Sequence, residues 1–339
     1  TDKIVGIVTR TDLLKTLGPT GPVPDDFAAL LEQALPPVRY RLLRRIGEKA
    51  EALSSALYIV GGFVRDLLLG VPSVDLDLVV EGDAIGLARS LAEAYGGRIS
   101  SHHRFGTAKW HVEPDHASLG QALGMTVGRD ALPASLDFVS ARTEFYTHPT
   151  ALPSVARGSI KLDLHRRDFT INTLALRLDG RHFGQLLDPW GGGRDLRQGL
   201  VRVLHSISFV DDPTRMLRAV RLEQRLGFGI ETRTLELLEQ ALPLLSRVSG
   251  ERIRNELQLI FLEPRLPSAM ARLHQLGLLA AIHPALSWDP WLEGRFEEAK
   301  AFEPPASWRL QAAPHRESLL YAMWLFQLAE EDVRSVCDR

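Results

Sequence analysis

The sequence predicts an α+β amino-terminal half followed by an all-α carboxyl-terminal half. Three observations predict it. From Leu57 to about residue 180, short apolar runs alternate with Gly- and Pro-bearing turns, the pattern of strands. One amphipathic helical stretch, Asp83 to Tyr95, lies among them. From about residue 205 onward the pattern is helical, with polar turns and prolines between the segments.

Each element follows from its residues. Ile4, Val5, Ile7 and Val8 read as a short buried strand, and Thr11 or Asp12 can cap a helix from Leu13 to Leu17. Gly18 to Pro24 breaks both, so 18–35 is expected to be a linker. A 17-residue piece cannot fold alone, so 1–17 is expected to be the tail of a domain that begins upstream. Residues 25–56 read as helix, interrupted by Pro36-Pro37. Leu57 to Val60 and Val74 to Val80 read as strands on either side of a Gly61-Gly62 turn. The 83–95 helix stops at Gly96-Gly97. Further strands are expected near Lys109 to Val112 and Leu136 to Ala141. The domain boundaries expected are 36–180 for the mixed part, 181–262 for a first helical part and 263–339 for a second.

Composition excludes several classes. No run of about 18 uncharged apolar residues occurs, so no membrane-spanning helix and no membrane partner are expected. The first residues lack the apolar core of a signal peptide. Cys337 is the only cysteine, which excludes a disulfide scaffold and a cysteine zinc site and points to a reducing, cytoplasmic setting. The net charge of −2 argues weakly against nucleic-acid binding. The kind of cation argues the other way: only six of the 40 basic residues are lysines. Arginine forms bidentate contacts with phosphate, and Arg39 to Arg45, Arg166-Arg167 and Arg215 to Arg225 form local clusters. A genomic preference for arginine codons would also produce such a bias.

The strongest chemical signal is Gly61-Gly62-Phe63-Val64-Arg65-Asp66, followed by Asp75-Leu76-Asp77. A strand entering Gly-Gly and then a helix start exposes backbone N–H groups suited to a triphosphate. Arg65, one turn into that helix, is placed to reach phosphate oxygens. The plain alternative is a strand–turn–helix junction. Asp75 and Asp77 stand two apart on the expected strand, so both carboxylates point to one face while Val74, Leu76 and Leu78 point to the other. Like charges so placed repel unless a cation joins them. Mg²⁺ binds through one or two carboxylates plus substrate phosphates, so Asp75 and Asp77 are the expected metal ligands. Asp137, on a plausible neighbouring strand, could complete the site or act as base; it could equally be an edge-strand charge.

The run LYIVGGFVRDLLLGVPSVDLDLVVEG resembles the head-domain motif of class II tRNA nucleotidyltransferases and bacterial poly(A) polymerases, within the DNA polymerase β-like nucleotidyltransferases. Similarity continues in order over roughly 57–262. Arg166 to Asn172 resembles the family's ribose-recognition motif, and Leu187 to Leu196 the motif joining head to neck. Asp211 to Ala219 resembles the nucleobase-selecting motif, and Ser249 to Leu257 a later neck motif. The string VGIVTRTDLL resembles the end of a CBS domain. The resemblance implies a polymerase β-like head with a mixed sheet at 36–180, a helical neck at 181–262 and a helical body at 263–339.

The resemblance also implies roles. Asp168 would accept from a ribose 2′-OH, Arg167 would face phosphate or orient Asp168, and Asn172 would share its face; the plain alternative is a surface ion-pair cluster. Asp188 would cap a turn at the head–neck hinge. Asp212, ahead of Pro213, is a natural helix N-cap. If Asp212 and Arg215 share a helix face, they can also read the Watson–Crick edge of C or A, with Asp212 accepting from the amino group and Arg215 donating to the ring nitrogen. The family's usual glutamate is replaced here by Asp211. Arg218, Arg221 and Arg225 extend the helix either as a solvated face or as a phosphate track. Site residues expected for nucleotide binding are thus Gly61, Gly62, Arg65, Arg167, Asp168, Asn172, Asp212, Arg215 and Arg218. Catalysis falls to Asp75, Asp77 and Asp137.

The activity implied is template-independent addition of the 3′-terminal A, or of CCA, to tRNA from ATP and possibly CTP, with Mg²⁺ and release of pyrophosphate. Within the family a poly(A) polymerase is the alternative. A non-catalytic RNA-binding relative would be expected to lose Asp75 or Asp77. A small-molecule nucleotidyltransferase would not need the long arginine-rich helical region. The segment from Arg142 to Leu164 occupies the place of the family's flexible loop. Its length, with the CBS-like start, resembles A-adding members. The oligomeric state is not legible.

Overall fold

The computed structural model describes residues 27–73, 75–125, 128, 131–145, 154–300, 302 and 315–338. The CBS-like segment at 1–17 lies outside them, as does Tyr146 to Pro153.

Helices α1 (Ala28–Ala34) and α2 (Pro37–Ala52) are separated where expected: Pro36 is extended at the α2 N-cap and Pro37 takes the first helical turn. The α2 face bearing Leu42, Leu43 and Ile46 is fully buried. Strand β1 (Ala56–Val60) enters the Gly61-Gly62 turn and helix α3 (Gly62–Leu68). Strand β2 spans Asp77–Glu81, shorter than the Val74 to Val80 expected, so Asp75 precedes it rather than sharing it. Helix α4 (Ala84–Tyr95) is capped by Asp83, whose side chain accepts from Ile85 N, and ends at Gly96 with φ +80°.

Then come β3 (Arg98–His102), β4 (Thr107–His111), α5 (Ala117–Leu123) and β5 (Ser135–Ser140). A separate hairpin, β6 (Arg142–Phe145) with β7 (Ser154–Arg157), leads to α6 (Ile160–His165). Strands β8 (Ala175–Arg177) and β9 (Leu186–Leu187) complete a seven-stranded sheet in the order β3–β4–β5–β2–β1–β8–β9. Its neighbours are antiparallel except β2 and β5, which run parallel, so the sheet is mixed as expected.

Both faces of the central strands are covered. Leu57, Ile59, Leu78, Val80, Leu136 and Phe138 join the main core beneath α2 and α4. Tyr58, Val60, Val79 and Ala175 face the other way, against Ile160 and Leu164 of α6. Each such aliphatic side chain contributes about 1.5–3 kcal/mol by burial.

Asp188 closes the sheet domain as a cap: its carboxylate accepts from Gly192 N (2.7 Å) and Gly193 N (3.0 Å) at the start of α7 (Gly192–Gln198). Beyond it, β10 (Leu200–Val201), α8 (Ser208–Asp211), α9 (Arg215–Leu226), β11 (Gly229–Ile230) and α10 (Thr232–Ala241) follow. Helices α11 (Gly250–Phe261), α12 (Leu266–Gln275), α13 (Leu278–Ile282), α14 (Pro290–Lys300), α15 (Arg316–Leu325) and α16 (Glu330–Cys337) finish the described chain. Buried Asp195 ties the two halves together, accepting from Thr170 Oγ1 (2.7 Å) and from Arg202 Nε (2.9 Å). No helix of the described residues is long and apolar enough to cross a membrane.

Candidate active site

The sheet supplies a floor of carboxylates. Asp77 of β2 stands opposite Asp137 of β5 in the parallel register. The next residues, Leu78 and Phe138, are fully buried, so strand alternation turns both carboxylates to the other face. Asp75 lies two residues ahead, with Leu76 buried between. Although Asp77 keeps solvent access, its carboxyl is pushed above the ordinary aspartate value. Burial is the main cause; Asp75, Asp137 and Asp163 add like charge, and Arg167 opposes them. Asp137 is held differently. Lys109 Nζ lies 3.3 Å from its Oδ2, and it does not line the cleft described next.

That cleft, of about 490 Å³, lies between the sheet and α9. Its volume suits a nucleotide-sized ligand. Among its lining side chains are seven arginines and four aspartates. A chain of net charge −2 therefore gathers positive charge here. Asp75, Asp77, Gly62, Arg65, Arg167, Asp168, Asn172, Asp212, Arg215 and Arg218 all line it.

The Gly61 turn is shaped by Arg167. Gly61 has φ +73° and ψ −131°, and a Cβ there would stand 2.7 Å from Arg167 Nη1. This backbone region is essentially restricted to glycine. The Gly61 N–H is not free for a ligand, since it donates to Leu174 O (3.0 Å). Gly62 carries less constraint: its Cβ would make only ordinary contact with Arg65. Arg167 Nη2 reaches buried Asp163 at 3.4 Å, and its buried Nε has no hydrogen-bond partner.

Arg65, expected to be placed to reach phosphate oxygens, lines the cleft with its donors taken up by the protein. It is buried, with Nε (2.8 Å) and Nη2 (2.7 Å) on Asp66 Oδ1 and Nη1 donating to Asn172 Oδ1 (2.8 Å). Asn172, in the 3₁₀ turn Thr170–Asn172, donates in turn to Asp168 Oδ1 (2.9 Å), which also accepts from Phe169 N (2.9 Å). Arg218 Nη2 stands 2.8 Å from Asp168 Oδ2, as an ion pair without an aligned hydrogen bond. Burial pushes the Asp168 carboxyl up, but Arg218, Asn172, Arg215 and Phe169 N outweigh it and hold the group below the ordinary range.

Asp212 and Arg215 do not share a helix face. Asp212 is extended at the end of α8, and its Oδ1 accepts from Thr214 N (3.0 Å) and Thr214 Oγ1 (2.7 Å) ahead of α9. Arg252 Nη2 of α11 donates to the same oxygen at 2.7 Å. Arg215, at the first position of α9, is buried. Its Nη1 donates to Ser208 Oγ (2.7 Å) and its Nη2 to Arg166 O (2.8 Å). The two groups meet in the cleft lining by converging from separate elements.

Arg218, Arg221 and Arg225 line the cleft, and Arg218 and Arg225 keep 36% and 49% of their side-chain surface exposed. Glu256 of α11 lies 3.9 Å from Arg218 Nε and 4.0 Å from Arg221 Nη2; Glu263 lies 4.0 Å from Arg225 Nη1. Burial pushes the Glu256 carboxyl up against the pull of both arginines. Sequence reasoning missed Asp163, Ser208, Arg252 and Glu256 as members of this network. Arg252 and Glu256 stood inside the quoted Ser249 to Leu257 run, which was the one available signal.

The fold and site define a DNA polymerase β-like nucleotidyltransferase head joined to helices. Residues 57–202 match the poly(A) polymerase head domain family, and 227–289 match the probable RNA- and SrmB-binding site of polymerase A. The A-adding tRNA nucleotidyltransferase of Geobacter sulfurreducens is 43% identical over 307 residues, 85% of this chain and 33% of that protein. The A-adding tRNA nucleotidyltransferase of Halalkalibacterium halodurans is 41% identical over 262 residues, 76% of this chain and 57% of that protein. This chain thus spans between a third and somewhat over half of these curated relatives. A solved CCA-adding enzyme in its apo form superposes with a TM-score of 0.78 at 35% identity, covering 93% of this chain and 70% of that one. The chain belongs to the tRNA nucleotidyltransferase and poly(A) polymerase family.

Proposed function

We propose that this chain transfers AMP from ATP to the 3′-hydroxyl of a tRNA ending in CC and releases pyrophosphate. The observation that carries the reading is the cleft in which Asp75 and Asp77 face an arginine-lined helix and the Asp212–Arg215 pair. Two curated relatives above 40% identity, both A-adding, support A addition over the wider CCA activity. A cytoplasmic setting agrees with a single cysteine and a tRNA substrate. The division into head (36–180), neck (181–262) and body (263–339) is part of the same reading.

A carboxyl pushed up by burial and by neighbouring carboxylates, as Asp77 is, is the donor chemistry a hard divalent cation relieves, and two carboxylates suffice for Mg²⁺ when substrate phosphates complete its shell. Among the described residues no three His, Cys, Asp or Glu side chains gather to hold a metal by themselves. Asp75 and Asp77 would therefore hold Mg²⁺, while Asp137, paired with Lys109 outside the cleft lining, would not complete a cage. The ion supplies charge stabilisation at the phosphoryl group and lowers the pKa of the attacking hydroxyl.

The remaining work belongs to the chain. Arg167, Arg218, Arg221 and Arg225 neutralise the triphosphate. The 3′-hydroxyl passes its proton to water in the cleft as its oxygen bonds to the α-phosphorus and the bond from that phosphorus to the β-bridging oxygen breaks, and pyrophosphate leaves into the arginine-lined wall. Asp168 accepts from the ribose 2′-hydroxyl, oriented by Asn172 and behind it Arg65. Asp212 accepts from the adenine amino group while Arg215 donates to the ring, an arrangement that rejects U and G.

The test uses Mg²⁺ and three tRNA transcripts, one lacking CCA, one ending in C and one ending in CC, each with labelled ATP or CTP alone and then both. A single A on the CC-ending transcript alone is the expected result. C incorporation completed by A would establish full CCA addition instead. Long A tails would establish a poly(A) polymerase. No incorporation by folded protein would overturn the catalytic reading.

A further inference from the structure

We infer that Arg252, with Thr214, is a specificity-positioning residue: it holds one oxygen of Asp212 and leaves the other to face the incoming base. The inference rests on the proposed nucleotide selection and extends it to a helix outside the selecting motif.

Every donor on Asp212 falls on a single oxygen. Oδ1 receives Thr214 N at 3.0 Å, Thr214 Oγ1 at 2.7 Å and Arg252 Nη2 at 2.7 Å. Oδ2 receives none of these, and it is not among the buried polar atoms lacking a partner. The side chain is 19% exposed and lines the cleft. One oxygen is thus saturated and the other is offered to the cleft.

A base-reading acceptor must present one lone pair in one direction. A carboxylate free to rotate about its Cβ–Cγ bond offers four lone-pair sites over a broad arc. Thr214 alone fixes Oδ1 from within the same turn. Arg252 adds a charged hydrogen bond from 40 residues away. It ties the carboxylate to a second element, α11, besides the turn that holds Thr214. Arg252 lies on α11 one turn from Glu256, which faces Arg218 and Arg221. A single helix therefore sets both the base acceptor and the arginine wall. Arg215 is fixed independently by Ser208 Oγ and Arg166 O, so loss of Arg252 should disturb the acceptor and spare the donor.

A plain structural role is the competing account, in which Arg252 and Thr214 only stabilise the start of α9. Selectivity separates the two. The experiment measures incorporation of A against G and U on the CC-ending transcript. In parallel, calorimetry measures binding of ATP, GTP and UTP to the protein alone with Mg²⁺. The variants are Arg252→Met, Arg252→Lys, Thr214→Val and Thr214→Ser, with melting temperatures recorded for each. Arg252→Met is expected to lower the A:G preference on the order of tenfold, mainly through KM. Lys should restore part of it, and Thr214→Ser should keep what Thr214→Val loses. Unchanged A:G and A:U ratios with only a lowered melting temperature would overturn the inference and leave the proposed activity standing. If wild type binds ATP selectively yet transfers nothing, the activity fails, and the binding ratios of the variants still decide the inference. Binding without selectivity in wild type would overturn both.

Discussion

Two arginine clusters look alike in the sequence and differ in the fold. On α2, Arg39 Nε donates to Ala131 O, Arg41 Nη1 to Leu123 O and Arg45 Nε to Ala122 O, while Arg44 lies over the Phe183 ring. These side chains cap the carboxyl end of α5 and stitch loops to α2, which is a structural task. On α9, Arg218, Arg221 and Arg225 face Asp168, Glu256 and Glu263 across the cleft at 2.8–4.0 Å. The first cluster uses its donors chiefly on backbone carbonyls, with one exposed pair between Arg45 and Glu48. The second is poised by carboxylates that a more highly charged phosphate can displace. Arginine density alone therefore says little about phosphate binding; the acceptors each guanidinium meets decide it.

The largest effect that sharpens this comparison lies on the floor of the same cleft. Asp77→Asn is expected to reduce nucleotide transfer on the order of a thousandfold, about 4 kcal/mol. It should also abolish any Mg²⁺-dependent rise in melting temperature, measured by calorimetry with and without the ion. Next, Arg218→Met should lower kcat/KM about a hundredfold by removing a wall charge, whereas an equal loss in Arg41→Met would break the comparison.

Asp168 gives a pH signature. Its folded value is held below the unfolded one, so its stabilisation is complete above the ordinary value near 4 and fades as pH falls through the lower folded value. Asp168→Asn should thus melt well below wild type at pH 6, by about 2 kcal/mol. That is less than a fully buried pair, because Arg218 is 36% exposed. The gap should begin to narrow in melting curves taken below about pH 4 and close once pH falls below the folded value. Gly61→Ala is expected to cost about 1–3 kcal/mol by denaturant titration, since its backbone conformation favours glycine and its Cβ meets Arg167. Arg41→Ser/Arg45→Ser should cost less than about 1 kcal/mol each and leave transfer unaltered.

Much of the site was legible because its signals were local. The alternation of Leu76 and Leu78 with Asp75 and Asp77 fixed which side of the chain faces the core, even though the strand begins only at Asp77. Asp188 was readable as a cap from its own turn. Partners distant in sequence were not. Arg65 read as placed to reach phosphate oxygens, yet Asp66 beside it and Asn172, 107 residues on, take up its donors. Asp212 and Arg215 would share a helix face only if the helix took in Pro213, yet α9 begins at Arg215 and Asp212 bonds Thr214 ahead of it. Arg252 and Glu256 belong to a helix that no local pattern connects to the cleft.

The most direct measurement is single-turnover AMP transfer to a CC-ending tRNA with Mg²⁺, comparing wild type, Arg41→Ser/Arg45→Ser and Arg218→Met/Arg221→Met. Wild type and the α2 variant should agree within about twofold, and the α9 variant should fall by at least about a hundredfold. Equal rates in all three, or a loss confined to the α2 variant, would contradict the assignment of the cleft as the site of transfer.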